Sequence, residues 1–340
     1  MDNWIFNDTI KELLNKAFKS KKFNNRNALT TDNLYLNELY ECIKNNLWYE
    51  YFKKVLKNNI LLGENWIDFE SEMANNIKEL ETYCNKELSK QKTSVFLKML
   101  FQYLITDRKI LTSPAIINNV TQVLYTDLNR LTRALEIYLS VFVSKIEINK
   151  SIVDLQDESF DYVLSFNYTN TYERIFKEKI TEKTEICYLH GKAKKDATKN
   201  CNLVLGIDEY LPEDEKNTQL TFLPFKKFYQ RIYKCTDNSY SKWIDHIHKR
   251  NPSGDPVDKF ELHIFGHSLD VTDKDILRKF ILNQNVQTKI YYHRKDEDDK
   301  SDFSSKIKNL IKIMGQDELI RRTGGGSKNT IEFIPQEIGI

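Results

Sequence analysis

The stretch Val163-Leu-Ser-Phe-Asn-Tyr-Thr-Asn-Thr171 decides how this chain is interpreted. Its first half is apolar, as in a buried β-strand, and its second half consists of small polar side chains. The segments Cys187-Tyr-Leu-His-Gly191 and Leu262-His-Ile-Phe-Gly-His-Ser-Leu-Asp270 repeat this change from apolar to polar. In open α/β sheets, ligands bind beyond the carboxyl ends of the strands. The three polar strand ends therefore predict one shared pocket.

Beyond about residue 150 the sequence alternates between strand-like and helical stretches. Short runs rich in β-branched and aromatic residues predict strands at Tyr162–Phe166, Glu185–Leu189, Leu203–Gly206, Glu261–Phe265, Lys289–Tyr292 and Thr330–Ile334. Helical patterns separate several of them, notably at Thr171–Ile180 and Thr272–Leu282. Strands that alternate with helices predict an α/β fold with a parallel, doubly wound sheet.

The preceding residues form a mainly helical pattern, so we divide the chain into a helical part, residues 1–150, and an α/β part, residues 151–340. Apolar residues spaced by three and four predict a helix over about Thr121–Lys145. A similar apolar face is formed by Leu39, Ile43, Leu47 and Tyr51. The run Trp66-Ile-Asp-Phe-Glu70 is typical of a helix entry, where acidic groups complement the helix dipole.

Composition argues against several classes of protein. Charged residues make up 29% of the chain but the net charge is only +2, so neither nucleic acid nor an anionic membrane is globally attracted. The sequence shows no signal peptide and no apolar run of transmembrane length, which favours a cytoplasmic protein. The five cysteines are scattered without a Cys-x-x-Cys pair, so no metal site is expected.

Asn167 and Thr169 follow the first predicted strand. An Asn side chain at a strand end can hold a water or a substrate hydroxyl, because it offers both a donor and an acceptor. Thr169 or Asn170 can instead cap the helix that begins near Thr171. Capping accounts for Thr169 but does not account for Asn167, which still lies within the extended run.

His190 and Gly191 follow the second predicted strand. Glycine permits a sharp turn and the close approach of a ligand. A histidine at this point can exchange a proton near neutral pH, or it can simply be satisfied by backbone carbonyls at a turn. Alongside the other two polar strand ends, the pattern favours a functional His190.

The turn Gly266-His-Ser-Leu-Asp270 follows the third polar strand end and is predicted to expose His267 and Ser268. Asp270 or Thr272 is expected to cap the next helix, whose free amides would favour an anion. The pattern suits a contact with a ribose or a phosphate. The alternative is that Ser268 and Asp270 are ordinary turn residues.

Taken together, these segments resemble the AbiH family of bacterial phage-abortive-infection proteins. The resemblance extends over roughly residues 45 to 340 and rests on motifs that occur in the same order. The motifs are Gly63-Glu-Asn-Trp-Ile-Asp-Phe-Glu70, Ser165-Phe-Asn-Tyr-Thr-Asn-Thr171, Leu189-His-Gly191 with Val204-Leu-Gly-Ile207, and Phe265-Gly-His-Ser-Leu-Asp270 with Asp273.

The polar strand ends also look like those of the wider sirtuin-like fold, which binds NAD. That resemblance implies a sirtuin-like, Rossmann-type parallel sheet in the C-terminal half, with NAD as the substrate. It implies catalytic roles for Asn167, near the nicotinamide ribose, and for His190. It implies contacts of Gly266 and Ser268 with the adenosine ribose. Together with the polar strand ends, the predicted cofactor-binding set is Thr169, Gly191, Gly266, His267, Ser268 and Asp270.

The chain departs from these families in two ways. AbiH-type chains usually open with a strand and a Gly-Asn-Gly-Phe-Asp turn, which this sequence lacks. We therefore expect the chain either to start downstream of the family's usual start or to be truncated, and in both cases to lack the diphosphate cradle. The four-cysteine zinc module of sirtuin deacetylases is also absent from the sequence, which argues against protein deacylation and for simple NAD cleavage.

Three functions remain as hypotheses. The first is a defence effector that hydrolyses NAD at the nicotinamide–ribose bond, an NAD glycohydrolase. The second is a non-catalytic sensor that binds NAD or a related nucleotide and meets a phage or host trigger protein. The third, RNA cleavage by His190 and His267, is disfavoured by the near-zero net charge. A homo-oligomer is compatible with each.

Overall fold

The computed structural model describes residues 31–63, 67–84, 93–104, 114–148, 152–195, 201–209, 211, 215–250, 253–254, 258–326 and 329–337. Contacts divide the chain into two compact units. The first contains residues 1–146 and 190–236, and the second contains residues 147–189 and 237–340. Residues 190–236 thus pack with the helical part, although in the sequence they lie inside the predicted α/β part.

The α/β fold class is confirmed, with parallel strands in the C-terminal half. The described helices are α1 Thr31–Ile43, α2 Leu47–Leu61, α3 Phe69–Cys84, α4 Val95–Leu104, α5 Pro114–Ile137, α6 Thr171–Ile175, α7 Lys227–Tyr233, α8 Tyr240–Ile247, α9 Lys274–Ile281, α10 Ser301–Met314 and α11 Gln316–Thr323. The described strands are β1 Tyr162–Ser165, β2 Glu185–Tyr188, β3 Phe260–Ile264, β4 Val286–Tyr292 and β5 Ile331–Pro335.

Helix α5 confirms the long helix predicted over Thr121–Lys145. It begins earlier, at Pro114, where proline suits a first helical position because its missing N–H needs no partner there. The helix continues through a π-helical turn, Tyr138–Phe142, and a 3₁₀ turn, Val143–Lys145. The predicted helix entry near Glu70 is also confirmed, since the carboxylate of Asp68 accepts the Ser71 amide at 3.0 Å before α3. Trp66 lies outside the described residues.

The apolar face predicted for residues 39–51 is divided between α1 and α2. Asn45 adopts a left-handed φ of +49°, which no continuous helix allows. Asn46 then caps α2, because its side-chain oxygen accepts the Tyr49 amide at 3.0 Å. Sequence spacing alone cannot show this break, since the apolar residues on both sides pack in the interior.

Buried polar groups connect the turn between α1 and α2 to helix α5 by hydrogen bonds. The Asn46 amide donates to the Asp127 carbonyl at 2.7 Å, and the Leu47 N–H donates to the Asp127 carboxylate at 2.8 Å. The indole of Trp48 donates to the Leu124 carbonyl at 3.0 Å and stacks on Phe96 at 5.1 Å. These contacts combine hydrogen-bond satisfaction with burial, so the core of the first unit is built around Trp48.

The predicted strand Leu203–Gly206 is wrong. The segment is buried but forms no ladder with a described strand. The Val204 N–H donates to the His190 carbonyl at 2.9 Å, and side chains bond the backbone of Leu203 and Leu205. The Gln230 side chain bonds both the N–H and the carbonyl of Leu205, at 3.2 and 3.0 Å. The Lys234 ammonium donates to the Leu203 carbonyl at 2.7 Å. The apolar run correctly predicts that the segment is buried. The groups that bond its backbone N–H and C=O are supplied by residues distant in the sequence, which the run itself does not indicate.

The other predicted strands are confirmed, with β4 extended to begin at Val286. In the second unit β1 pairs in parallel with β2, with Tyr162 opposite Glu185. β4 lies between β3 and β5 and pairs in parallel with both. Helices α9 and α10 cover the three-stranded sheet through a core that includes Ile264, Ile290 and Leu310.

Arg322 connects α11, α9 and β5 in the second unit. Its side chain is buried, and its guanidinium donates to the Ile281 carbonyl at 3.1 Å and to the Leu282 carbonyl at 2.6 Å. It also donates to the Thr330 hydroxyl at 2.8 Å, just before β5. One side chain therefore satisfies the carbonyls at the end of α9, which have no partner within the helix.

We expect Arg322→Met to lower the free energy of unfolding by about 2–4 kcal/mol, because it leaves buried carbonyls without donors. The neighbouring Arg321→Met removes only an ion pair with Glu318, which Arg322 also contacts, and should cost much less because Arg321 bonds no buried carbonyl of the described residues. Urea denaturation followed by circular dichroism measures both. Equal losses for the two variants would contradict a special role for Arg322.

Candidate functional site

The carboxyl ends of β1 and β3 lie together in the second unit. Near their amino ends, the rings of Tyr162 and Phe260 both contact His246, at centroid distances of 6.4 and 5.2 Å. Just beyond their carboxyl ends, the Phe166 ring meets the His267 ring edge-on at 4.3 Å. The two strands therefore run in the same direction. We call the two segments that follow these strands, Asn167–Thr169 and Gly266–Asp270, the β1–β3 end.

Asn167 and Ser268 present exposed polar side chains at the β1–β3 end. Within the part of the chain that the structure describes, the hydrogen bonds of Asn167 involve its backbone and Ser165, and those of Ser268 involve its carbonyl. Gly266 has a φ of +66°, and apart from its chain neighbours no heavy atom of the described residues lies within 4 Å of the position that a Cβ would occupy. Asn167, Gly266 and Ser268 are therefore exposed residues at the same end of these two strands.

Thr169 engages a neighbour in the loop. Its hydroxyl oxygen lies 2.8 Å from that of Thr171, the first residue of α6. The predicted capping of α6 by Asn170 is not observed, because that side chain forms no capping hydrogen bond. Thr169 thus shapes the entry to α6 through its hydroxyl contact with Thr171.

Both ring nitrogens of His267 face groups within the second unit. Nδ1 accepts the Leu269 amide at 2.8 Å, and Nε2 lies 3.7 Å from the Asp273 carboxylate. Asp270 caps the following 3₁₀ turn by accepting the Thr272 amide at 3.1 Å, as the sequence predicts. The Thr272 amide is therefore already bonded to the Asp270 carboxylate, and the Asp273 carboxylate lies near His267. Two negative charges make the β1–β3 end better suited to a neutral hydroxyl than to a phosphate.

His190 and Gly191 lie at the start of a segment that belongs to the first unit, whereas the other predicted site residues belong to the second. The His190 side chain is buried, with 5% of the residue exposed, and its carbonyl accepts the Val204 amide at 2.9 Å. Gly191 has a φ of +85°, and a Cβ there would lie 2.3 Å from the Asn202 carbonyl oxygen. The close approach of the Asn202 backbone is therefore enough to explain the glycine at position 191, and no bound ligand is needed to explain it.

Two ion pairs in the first unit, one of them at the motif residue Glu70, are not evident from sequence spacing. Glu70 pairs with buried Lys227 at 2.8 Å, and Glu209 pairs with buried Lys226 at 2.7 Å. Two adjacent lysines normally indicate a solvated surface. Their position inside the first unit follows from the bridge between Ile207 and Lys226, which no local pattern reports.

A second polar cluster in the first unit surrounds Cys201. Burial, followed by the charge of Glu136, raises the pKa of the Cys201 thiol to about 12. Burial lowers the pKa of the nearby Lys234 ammonium from its usual range. Arg133 neutralises Glu136 at 2.6 Å, so the cluster is held together by ion pairing. At neutral pH the Cys201 thiol stays protonated, which makes it a poor nucleophile.

A family model described as bacteriophage abortive infection AbiH matches residues 13–293. Because this match covers more than half of the chain, the chain belongs to the AbiH family, in agreement with the sequence motifs. Membership implies a role in phage abortive infection. No curated protein and no solved structure matches the chain significantly.

Two further observations concern sites and membranes. The described residues contain no group of three or more His, Cys, Asp or Glu side chains arranged to hold a metal ion. None of the helices in the described ranges is both long enough and apolar enough to cross a membrane.

The two glycines of the predicted site should respond differently to alanine. Gly191→Ala combines a left-handed φ with a clash against the Asn202 backbone and should destabilise the fold by about 2–5 kcal/mol. Gly266→Ala introduces only the left-handed strain and should cost about 1–2 kcal/mol. Thermal unfolding of both variants tests this ordering, and a larger loss for Gly266→Ala would contradict it.

Cysteine alkylation tests the environment of Cys201. With a pKa of about 12, its thiolate fraction at pH 8 is on the order of 10⁻⁴, so iodoacetamide should label it slowly. Cys235 is exposed and serves as the internal reference. Peptide mass spectrometry over time should show Cys235 modified first, and labelling of Cys201 should accelerate as the pH rises. Equal labelling rates at pH 8 would refute the protonated, shielded thiol.

Proposed function

We propose that this AbiH protein acts in abortive infection by binding NAD at the β1–β3 end and hydrolysing its nicotinamide–ribose bond. The observation that carries the proposal is the meeting of two parallel strand ends that present exposed Asn167 and Ser268 beside an open Gly266. The carboxyl end of parallel strands is the usual ligand position in such sheets. The sirtuin-like character of the sheet belongs to this proposal and is supported by the same residues.

The polar groups at this position match the hydroxyl groups of a nucleoside. A carboxamide such as that of Asn167 can both donate to and accept from a ribose hydroxyl, and a serine hydroxyl can do the same. The carboxylates of Asp270 and Asp273 disfavour a diphosphate beside the turn. We therefore assign Asn167 to the nicotinamide ribose, and Gly266 with Ser268 to the adenosine ribose, as the resemblance to the sirtuin-like fold implies.

Hydrolysis breaks the bond between C1′ of the ribose and the ring nitrogen, and nicotinamide leaves with the electron pair. Positive charge builds on the ribose, a water oxygen bonds to C1′, and a general base takes the water's proton. We assign the base to His190 because Leu189-His-Gly191 is similar to the His-Gly of the sirtuin-like fold. In this proposal Asn167 orients the ribose hydroxyls or the attacking water.

One observation favours a second function, a nucleotide sensor without catalysis. His190 is 5% exposed, and a general base must reach a substrate water within hydrogen-bond distance. In the sensor function the β1–β3 end binds NAD or ADP-ribose, and the response to phage follows from binding alone. Binding and nicotinamide release distinguish the two functions.

The proposal is tested by NMR detection of free nicotinamide and by isothermal titration with NAD and ADP-ribose. The full chain should bind both ligands and release nicotinamide. His190→Gln should lower the release rate by about 10²–10⁴-fold and leave ADP-ribose binding intact, as expected for loss of a general base. Asn167→Ala should reduce both binding and release.

The matched control is Gln284→Ala, an exposed amide truncated just before the amino end of β4, opposite the proposed site. It should leave binding and release unchanged. Binding of NAD without nicotinamide release would support the sensor function instead. Absence of binding to both ligands would refute a nucleotide site at the β1–β3 end.

A further inference from the structure

The ring of His267 bridges its own turn. Nδ1 accepts the N–H of Leu269, two residues further on, at 2.8 Å. A nitrogen that accepts a hydrogen bond carries no proton, so the ring proton resides on Nε2, which faces Asp273 at 3.7 Å. The edge-on packing against Phe166 holds the ring plane in this orientation.

This bridge stabilises an unusual backbone conformation. Leu269 has a φ of +59°, a left-handed value that strains the backbone of a residue with a Cβ. The conformation lets the Leu269 side chain enter the core beside Ile264 and Leu277, fully buried, while the preceding Ser268 stays exposed. The His267 acceptor offsets part of the strain by fixing the Leu269 N–H.

Helix α10 holds the carbonyl groups of the same turn. The Lys306 ammonium, buried and paired with Asp302 at 3.3 Å, donates to the His267 carbonyl at 2.9 Å. The Asn309 side chain donates to the Ser268 carbonyl at 3.0 Å. Both carbonyls are thus bonded by side chains of α10, while Ser268 itself remains an exposed residue.

We propose that His267 is a positioning residue that uses Nδ1 to shape this turn and thereby presents Ser268 to the nucleoside, without contacting the ligand through its ring nitrogens. The inference rests on the proposed function for the identity of the ligand. Its structural core, the link from Nδ1 to Leu269, stands on the contacts of the turn itself. Among the described residues, the ring faces Phe166, which follows β1, and Asp273 of the 3₁₀ turn Val271–Asp273, while Lys306 bonds the His267 carbonyl.

Two amide variants of the full chain separate the acceptor from the ring. In His267→Asn the side-chain oxygen occupies the position of Nδ1, and asparagine readily accepts the N–H two residues on. In His267→Gln the side chain is one methylene longer, so its oxygen corresponds to Nε2 instead. The Asn variant therefore keeps the link to Leu269 and loses the ring, whereas the Gln variant loses the link.

Three measurements decide the proposal. Nitrogen NMR of the parent protein should show a neutral imidazole with its proton on Nε2. Hydrogen exchange at the Leu269 amide should remain slow in His267→Asn and accelerate in His267→Gln. Titration with NAD should show affinity within about threefold of the parent for His267→Asn, and about tenfold weaker binding for His267→Gln.

An imidazole proton on Nδ1, or parent-like exchange and affinity in His267→Gln, would overturn the proposal. Equal damage in both variants would also overturn it, because the ring rather than the acceptor would then be responsible. If the parent protein binds no NAD, the proposed function fails, and the exchange comparison alone decides whether Nδ1 shapes the turn.

Discussion

The contact between the Phe166 and His267 rings is the constraint on which the candidate site depends. It joins the residues just after β1 to those just after β3, two segments a hundred residues apart in the chain. Since each strand pairs in parallel with another partner, this ring contact and the shared apolar core align the two carboxyl ends. This contact places Asn167 and Ser268 at the same end of the second unit.

Polar side chains supply backbone partners throughout both units. In the first unit Gln230 and Lys234 bond the backbone of the buried segment near Leu205, which forms no ladder with any strand that the structure describes. In the second unit Arg322 serves the last carbonyls of α9, and Lys306 serves the turn at His267. Each of these side chains lies far in sequence from the group it satisfies. A buried polar residue in this protein is therefore more often a structural donor or acceptor than a sign of catalysis.

This distinction bears on how the AbiH motifs are interpreted. Gly191 is required by the close approach of the Asn202 backbone, and Glu70 pairs with a buried lysine, so both have structural explanations. Asn167 and Ser268 are exposed, and their side chains face no such demand. Motif residues of the first kind maintain the fold, while those of the second kind form the basis of the proposed nucleotide site. His190 lies between these cases, because its burial fits a structural role and its motif implies a chemical one.

Local patterns in the sequence were sufficient for the long helix α5, the entry to α3, five of the strands and the cap at Asp270, because periodicity and capping involve residues close together in the chain. The sequence also identified the AbiH family through motifs in order. The break at Asn45, the side-chain bonding of Leu203–Gly206, and the assignment of His190 and Asn167 to different units depended on tertiary structure. At Asn45 the break depends on a left-handed backbone conformation that asparagine tolerates but does not require. In the other two cases it is contacts with residues distant in the sequence that decide the structure. Burial was readable from residue type, whereas the partners that satisfy buried polar groups were set by packing between distant segments.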